Sequence, residues 1–518
     1  VPVFRPSEAH EVVNLQNAHK IKLMLWVVSF SIFLTPPAWE SEAGFHSTGL
    51  AAWDFNRDNY ADLMIANGGY VARQPLTFYT GTYDLPPFTP TRILGLNSYH
   101  GHLALGDVNG DGLMDIVVAG FSGHLEGWNR QVNALYLNRG DSFPTYPDWV
   151  SDSGRCFGVA SGDVNGDGLA DFLFSCGNHY SSNPEPARLY VSDGSTLIGP
   201  VWQTPDSIYS WGAKFFDVDN DGDLDLFLGL SPGRHRLYLN HGGVLDTVPV
   251  WESDREGFAD GIAIGDVNGD GWLDVVVANP FPSSPDSSRV ELYLNVGGTL
   301  EPSSSWEFRA PGQYLSCVAL GDLDRAPGLE LVVGGWGSPL YFFGGLPFGF
   351  DDTPTWFWSP TPPAYLFAED LALMSFNMYV VYARDTFNLS PPAHVVRLKF
   401  TPVVSVISVS LDGRPVPYTL SPDIGWLSVP FDSIAPSSQL VVTYLLGVYP
   451  DLVVSNWSGM RGNFIFLNRL GIEVPERIKR EEGSGVAYYD VTGRRVPPSR
   501  RGILFVVEGR RVRKVMRR

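Results

Sequence analysis

The chain has 518 residues, with 55 Gly, 40 Pro and 13% aromatics, and only 18% of it is charged. That length exceeds one ordinary core, so several domains or a repeat array are expected, and the balance of Gly, Pro and aromatics suits many short strands joined by tight turns. A formal charge of −20 disfavours nucleic acid as a partner unless metal ions neutralise the acidic sites, and three cysteines are too few for a disulfide framework.

Near the amino end, Lys20 and Lys22 precede an apolar run, Leu23 to Leu34, followed by Thr35, Pro36 and Pro37. The run is too short to span a bilayer comfortably and fits the apolar stretch of a signal peptide; a buried strand or helix is the competing reading. Residues 1–36 are therefore expected to be a signal-peptide region, and the protein to be secreted or held at the cell surface after bacterial-type export. No other stretch is long and apolar enough for a membrane span.

A repeat follows. AWDFNRDNYADLMIA opens an acidic loop at Asp54, and related phrases return from Asp107, Asp163, Asp217 and Asp266, and in decayed form from Asp322. Subtraction gives spacings of 49 to 56 residues, the size of a four-stranded propeller blade. Each unit continues with LYLN or a variant, ending at Asn138, Ser192, Asn240, Asn295 and Phe343, and then a tryptophan, at Trp149, Trp202, Trp251, Trp306 and Trp356. A unit thus reads strand, acidic hairpin, strand, LYLN strand, Trp strand. Cys156 and Cys176 flank one loop, placed either to bridge or to remain two buried thiols.

The seventh unit is interrupted. Leu371–Phe376 stands where its first strand belongs, and YPDLVVSNWSGMRGNFIFLNRLG (449–471) supplies the second and third, with Asp451 at the last acidic position. Residues 377–444, rich in Val, Ser, Thr and Pro with an Asp412-Gly413 turn, read as an inserted β-sandwich-like module leaving from the acidic-loop face. The missing Trp strand lies at the other end of the chain: PAWESEAGF, with Trp39, matches PVWESDREGF, with Trp251. The expected fold is all-β: a seven-bladed propeller over 37–376 and 445–471, closed by the amino-terminal strand and expected to be monomeric. Residues 472–518 form a tail whose last 25 residues hold ten Lys/Arg against Glu508.

The loops carry the chemistry. In Asp107-Val-Asn109-Gly-Asp111-Gly-Leu113-Met-Asp115, side-chain oxygens at positions 1, 3, 5 and 9 and the Leu113 carbonyl at position 7 can converge on one point. Such an oxygen-only set, without His or Cys, specifies a hard cation, and its flexible geometry favours Ca²⁺. The same set recurs at Asp163, Asn165, Asp167, Leu169 and Asp171, and at Asp217, Asp219, Asp221, Asp223 and Asp225. It appears again at Asp266, Asn268, Asp270, Trp272 and Asp274. Loop one keeps Asp54, Asn56, Asp58 and Asp62 but lacks the glycines; loop six, with Ala326 and Glu330, is expected to hold no metal. Four to five Ca²⁺ sites are the expectation. The competing reading is a set of metal-free Asx-turns capping hairpins.

GDVNGDGLMDIVVA followed by LYLN resembles the FG-GAP/VCBS repeat family, which includes the propeller of integrin α subunits. The resemblance implies a seven-bladed propeller with Ca²⁺ in the hairpins of one face and ligand binding on the opposite face. The segment YYDVTGRRVPPSRRGILFVVEGRRVRKVMRR is similar to the carboxy-terminal half of a type IX secretion sorting domain. A basic tail lying on the acidic propeller is the alternative reading.

Sequence reading finds no histidine pair of a metal-hydrolase, no nucleophile elbow and no phosphate loop, so no catalytic residues are assigned. The expected function is a non-catalytic adhesion or ligand-binding protein, its partner an extracellular protein or a glycan. A lectin or a polysaccharide-active enzyme, with its site opposite the calcium loops, is the alternative. Loops on that side carry Tyr70, His124, Trp128, His179, Tyr180, His235, Trp336 and Trp457, while His100 and His102 are assigned to the channel or core.

Overall fold

The computed structural model describes residues 33 and 35–468, except 83–88, 141, 347–348, 361–365, 375, 377–379, 390–392 and 448, together with three strands beyond them. The sequence run read as a signal peptide therefore lies outside the described residues up to position 32. Among the described residues the secondary structure is strand and turn, with short 3₁₀ segments and no α-helix.

Seven four-stranded antiparallel sheets follow the repeat. Blade 1 begins with Ser47–Trp53 and blade 2 with His100–Gly106; blades 3 to 6 begin with Cys156–Gly162, Ser210–Phe216, Ile262–Gly265 and Tyr314–Gly321, and blade 7 with Ala368–Met374. Each first strand contacts the first strand of the next sheet, and that of blade 7 contacts that of blade 1, so the sheets form a closed ring. Closure covers the apolar faces that the end sheets of a linear array would expose, leaving only short sheet edges. The outer strand of blade 7 is Trp39–Glu40, paired with Phe464 and Ile465. Phe33 forms an isolated bridge to Asn468 and is fully buried against Phe342 and Trp356.

Two repeated contacts hold neighbouring blades together. The outer-strand tryptophan packs edge-on against the third-strand aromatic of the next blade: Trp149 on Tyr190, Trp202 on Tyr238, Trp251 on Tyr293, Trp306 on Phe343, and Trp39 on Tyr79 across the closure. In blade 6 the tryptophan that meets the next blade is Trp358, 4.8 Å from Phe466, rather than Trp356. The asparagine of LYLN reaches the other way. The Nδ2 of Asn138 donates to the Phe55 carbonyl, that of Asn240 to Val164, that of Asn295 to Val218 and that of Asn468 to Leu323, each in the acidic loop of the preceding blade. The Ser192 hydroxyl does the same to Val108. These carbonyls and asparagines are buried, so each bond removes an otherwise unpaired polar group.

The insertion in blade 7 forms a four-stranded sheet, including Val380–Leu389, Val403–Leu411 and Ser438–Gly447, and a three-stranded sheet, including Val395–Arg397 and Trp426–Ser428. It lies on the propeller, sharing core clusters with Phe55, Phe143 and Tyr238. Cys156 and Cys176, directly opposed on the first two strands of blade 3, form a disulfide, and Cys317 is a buried free thiol. In the tail, Val486–Tyr489, Gly502–Glu508 and Arg511–Arg517 pair as one antiparallel sheet.

Candidate functional site

Within each acidic hairpin the residues divide into two sets. The position-9 carboxylate binds backbone: Asp115 accepts from the amides of Val108 and Asn138, at 2.9 and 2.8 Å, and Asp225 from those of Val218 and Asn240, both at 2.8 Å. Asp171 and Asp274 make the same pair, with Val164 and Ser192 and with Val267 and Asn295, and Asp62 a similar one with Phe55 and Gly81. Asp451 keeps this pattern, to Phe376 and Asn468, although its loop has been replaced by the insertion. The ninth position is therefore a fold staple whether or not a metal loop surrounds it.

Positions 1, 3 and 5 shape the loop tip. Asp107 accepts from Gly110 and Gly112, and Asp163 from Asp167 and Gly168; Asp217 accepts from Asp221 and Gly222, and Asp266 from Asp270 and Gly271. Gly110 and Gly112 sit at φ of 73° and 79°, conformations that the curl requires and that cost glycine little. In loop one these positions are Arg57 and Asn59, held at φ of 59° and 70°. Oxygens of Asp217, Asp219 and Asp221 lie within 4.8 Å of one another. Burial pushes Asp107 up to about 6, Asp217 to about 7, and Asp115 and Asp225 to about 8. Crowding and desolvation thus disfavour the charged form of these carboxylates, and a bound cation would offset that cost. Asp322, Asp324 and Glu330 of loop six also approach one another, but Arg325 already pairs with Asp322 at 3.2 Å.

The insertion covers part of this face. Ser428 donates to Asp163, Phe431 N–H to the Gly166 carbonyl, and His394 approaches Asp223 at 3.3 Å. Lys214, on a first strand, pairs with Asp423 of the insertion at 3.1 Å. With Pro402, Pro422 and Ile424, Asp423 lines one side of an axial cavity of about 210 Å³, so the insertion closes that end of the channel.

At the opposite end, loops between second and third strands bring aromatics together. Tyr70 lies 5.3 Å from Trp457 and 5.9 Å from both Trp128 and Tyr180, which stack on each other at 6.1 Å. His124 packs on Trp128 and His179 on Tyr180. Trp336 packs against Tyr314, and its indole N–H donates to Glu369. Tyr70, Tyr314, Trp336, Phe367, Glu369 and Trp457 border a cavity of about 430 Å³. His235 does not join them; it is fully buried, against Phe227 and Tyr293 inside the blades. His102 lines the axial cavity, while His100 is buried and bonded to the Asn67 carbonyl. Tyr314, Phe367 and Glu369 were not legible in the sequence as site residues, because they lie at or beside the starts of first strands and not in the second-to-third-strand loops.

This architecture is that of a β-propeller with acidic loops in its blade hairpins. Residues 54–118, 107–174, 217–277 and 266–325 match the FG-GAP-like repeat, so these four stretches of the chain are similar to that repeat. Among solved structures it is similar to BBS1N in complex with ARL6DN, soaked with lead: 11% identity, TM-score 0.42, covering 79% of this chain and 99% of that one. It is also similar to the V. cholerae biofilm matrix protein Bap1: 14% identity, TM-score 0.34, covering 92% and 81%. Among the described residues no helix is long and apolar enough to cross a membrane.

Proposed function

We propose that this is an exported, non-catalytic binding protein that holds a glycan or an extracellular protein at the aromatic end of the ring, with Ca²⁺ stapling the hairpins at the other. The observation that carries the reading is the cavity of about 430 Å³ bordered by Tyr70, Tyr314, Trp336, Phe367 and Trp457, a concave aromatic surface with one carboxyl group. Such surfaces suit stacking on sugar rings or gripping side chains. Ca²⁺ acts at a distance, because its loops lie at the far ends of the same strands. A glycan array probed with the wild-type protein and with W457A tests the sugar arm, and cross-linking to extracellular proteins tests the other. Loss of no binding in W457A on either arm counts against this surface. The alternative, an enzyme acting on polysaccharide, draws support from the carboxyl groups of Asp260, Glu369 and Asp370 around the channel. Release of reducing or unsaturated ends from polysaccharide would establish it.

A further inference from the structure

Five residues before each acidic loop, blades 1, 3, 4 and 5 place glycine: Gly49, Gly158, Gly212 and Gly261. Close approach of neighbouring first strands explains this, since a Cβ at Gly49 would stand 2.7 Å from the His102 Cα and one at Gly261 2.7 Å from the Cys317 Cα. Blade 2 instead carries His102 at this crowded position. Blade 6 carries Cys317 there, and the His102 ring packs 4.8 Å from Phe157.

His102 belongs to blade 2, Asp260 lies two residues before the first strand of blade 5, and Glu369 lies on the first strand of blade 7. Side chains from such separated blades can meet only at the axis of the ring. One ligand atom from each lies within 4.8 Å of the other two. Asp260 is 2% exposed, and neither of its carboxylate oxygens has a hydrogen-bond partner; the Nε2 of His102 is likewise buried and unpartnered. The charged groups nearby are committed elsewhere: Lys214 pairs with Asp423, and Asp370 accepts the Leu50 amide at 3.0 Å.

We propose that His102, Asp260 and Glu369 form an axial site for one divalent transition-metal ion of the Zn²⁺ or Mn²⁺ class, separate from the hairpin loops. An imidazole nitrogen with two carboxylates selects such an ion over Ca²⁺, which takes oxygen ligands. The indole of Trp336 orients Glu369 through its hydrogen bond, as outer partners of metal ligands do. His102 and Asp260 line the axial cavity while Glu369 borders the aromatic one, so the ion sits in the wall between them. Three protein ligands leave a coordination position for an oxygen of whatever enters the aromatic cavity.

The test is a Zn²⁺ titration of the full chain by calorimetry, with millimolar Ca²⁺ present throughout so that the hairpin loops stay filled. A parallel Co²⁺ titration reads nitrogen–oxygen coordination in the visible spectrum. The expected result is one equivalent of Zn²⁺ bound by the wild type and at least about tenfold weaker binding in D260N and in H102Q. If either variant melts well below the wild type, E369Q carries the same comparison. No Zn²⁺ uptake by the wild type, or equal uptake by folded variants, overturns the proposal.

Discussion

At the scale of single residues, the acidic motif separates into positions that build the hairpin and positions that face outward from it. Asp225 gives both oxygens to backbone amides, whereas Asp270 is exposed and caps only its own tip. Replacing Asp225 by Asn leaves one buried amide without its acceptor, a loss of about 1–3 kcal/mol in denaturant melts with or without Ca²⁺. Replacing Asp270 by Asn should leave the chelated protein unchanged and lower only the stabilisation that Ca²⁺ adds. The motif's spacing made all these carboxylates visible in the sequence, but not their division of labour. That division depends on which amide each oxygen meets, and one of the two partners lies on the LYLN strand, 15 to 23 residues downstream. Asp260 and Glu369 were illegible for a different reason: neither belongs to the repeated acidic motif, and only ring closure brings them together.

At the scale of elements, the LYLN strand is the part of each blade that grips its neighbour. Asn240 donates to the buried carbonyls of Val164 and Leu224 and accepts from Gly243. Truncation to Ala strands those carbonyls, and N240A is expected to lose about 2–4 kcal/mol. The same substitution at the exposed Asn268 should cost far less, and near-equal losses in denaturant melts would show that the interblade bond is unimportant. The recurrence of LYLN after each loop was plain in the sequence; its target, a carbonyl one blade back, needed the closed ring. The insertion was legible as a β-module but not as a cover for the loops. Ala393 and Pro430 meet Gly222 and Gly168 through surfaces that carry no motif. Its removal should expose Asp163 and Asp223 to solvent and quicken Ca²⁺ exchange at loops three and four, measurable with a fluorescent chelator in stopped flow.

At the scale of the whole molecule, buried ionisable groups set how stability follows pH. Asp62 and Asp217 are raised by burial to about 7, and Asp115, Asp225 and Glu330 to about 8. Each folded value exceeds its unfolded value near 4, so the contribution is complete below that pH and is lost as pH rises through 7 and 8. His100 and His235 run the other way: burial lowers them to about 4 and about 3, so their cost appears only below pH 6.5. Between pH 6.5 and 8.5 the histidines are silent, and the chelated protein should melt at progressively lower temperature. Ca²⁺ should raise the melting temperature more at pH 8.5 than at pH 6.5; a pH-independent increment would sink the assignment of Ca²⁺ to these loops.

The pairing of Trp39 with Ile465 joins residues separated by most of the chain, and Trp39 then locks onto Tyr79 of blade 1. Until residue 466 has left the ribosome, the first blade lacks one of its two neighbours and blade 7 is incomplete. Six blades can condense in order during synthesis, but the clasp must wait for the final one. During that interval the nascent protein is an open arc with an adhesive apolar flank at either end. Two such arcs at high concentration can take each other's clasp and yield exchanged dimers, whereas slow, dilute emergence favours the single ring.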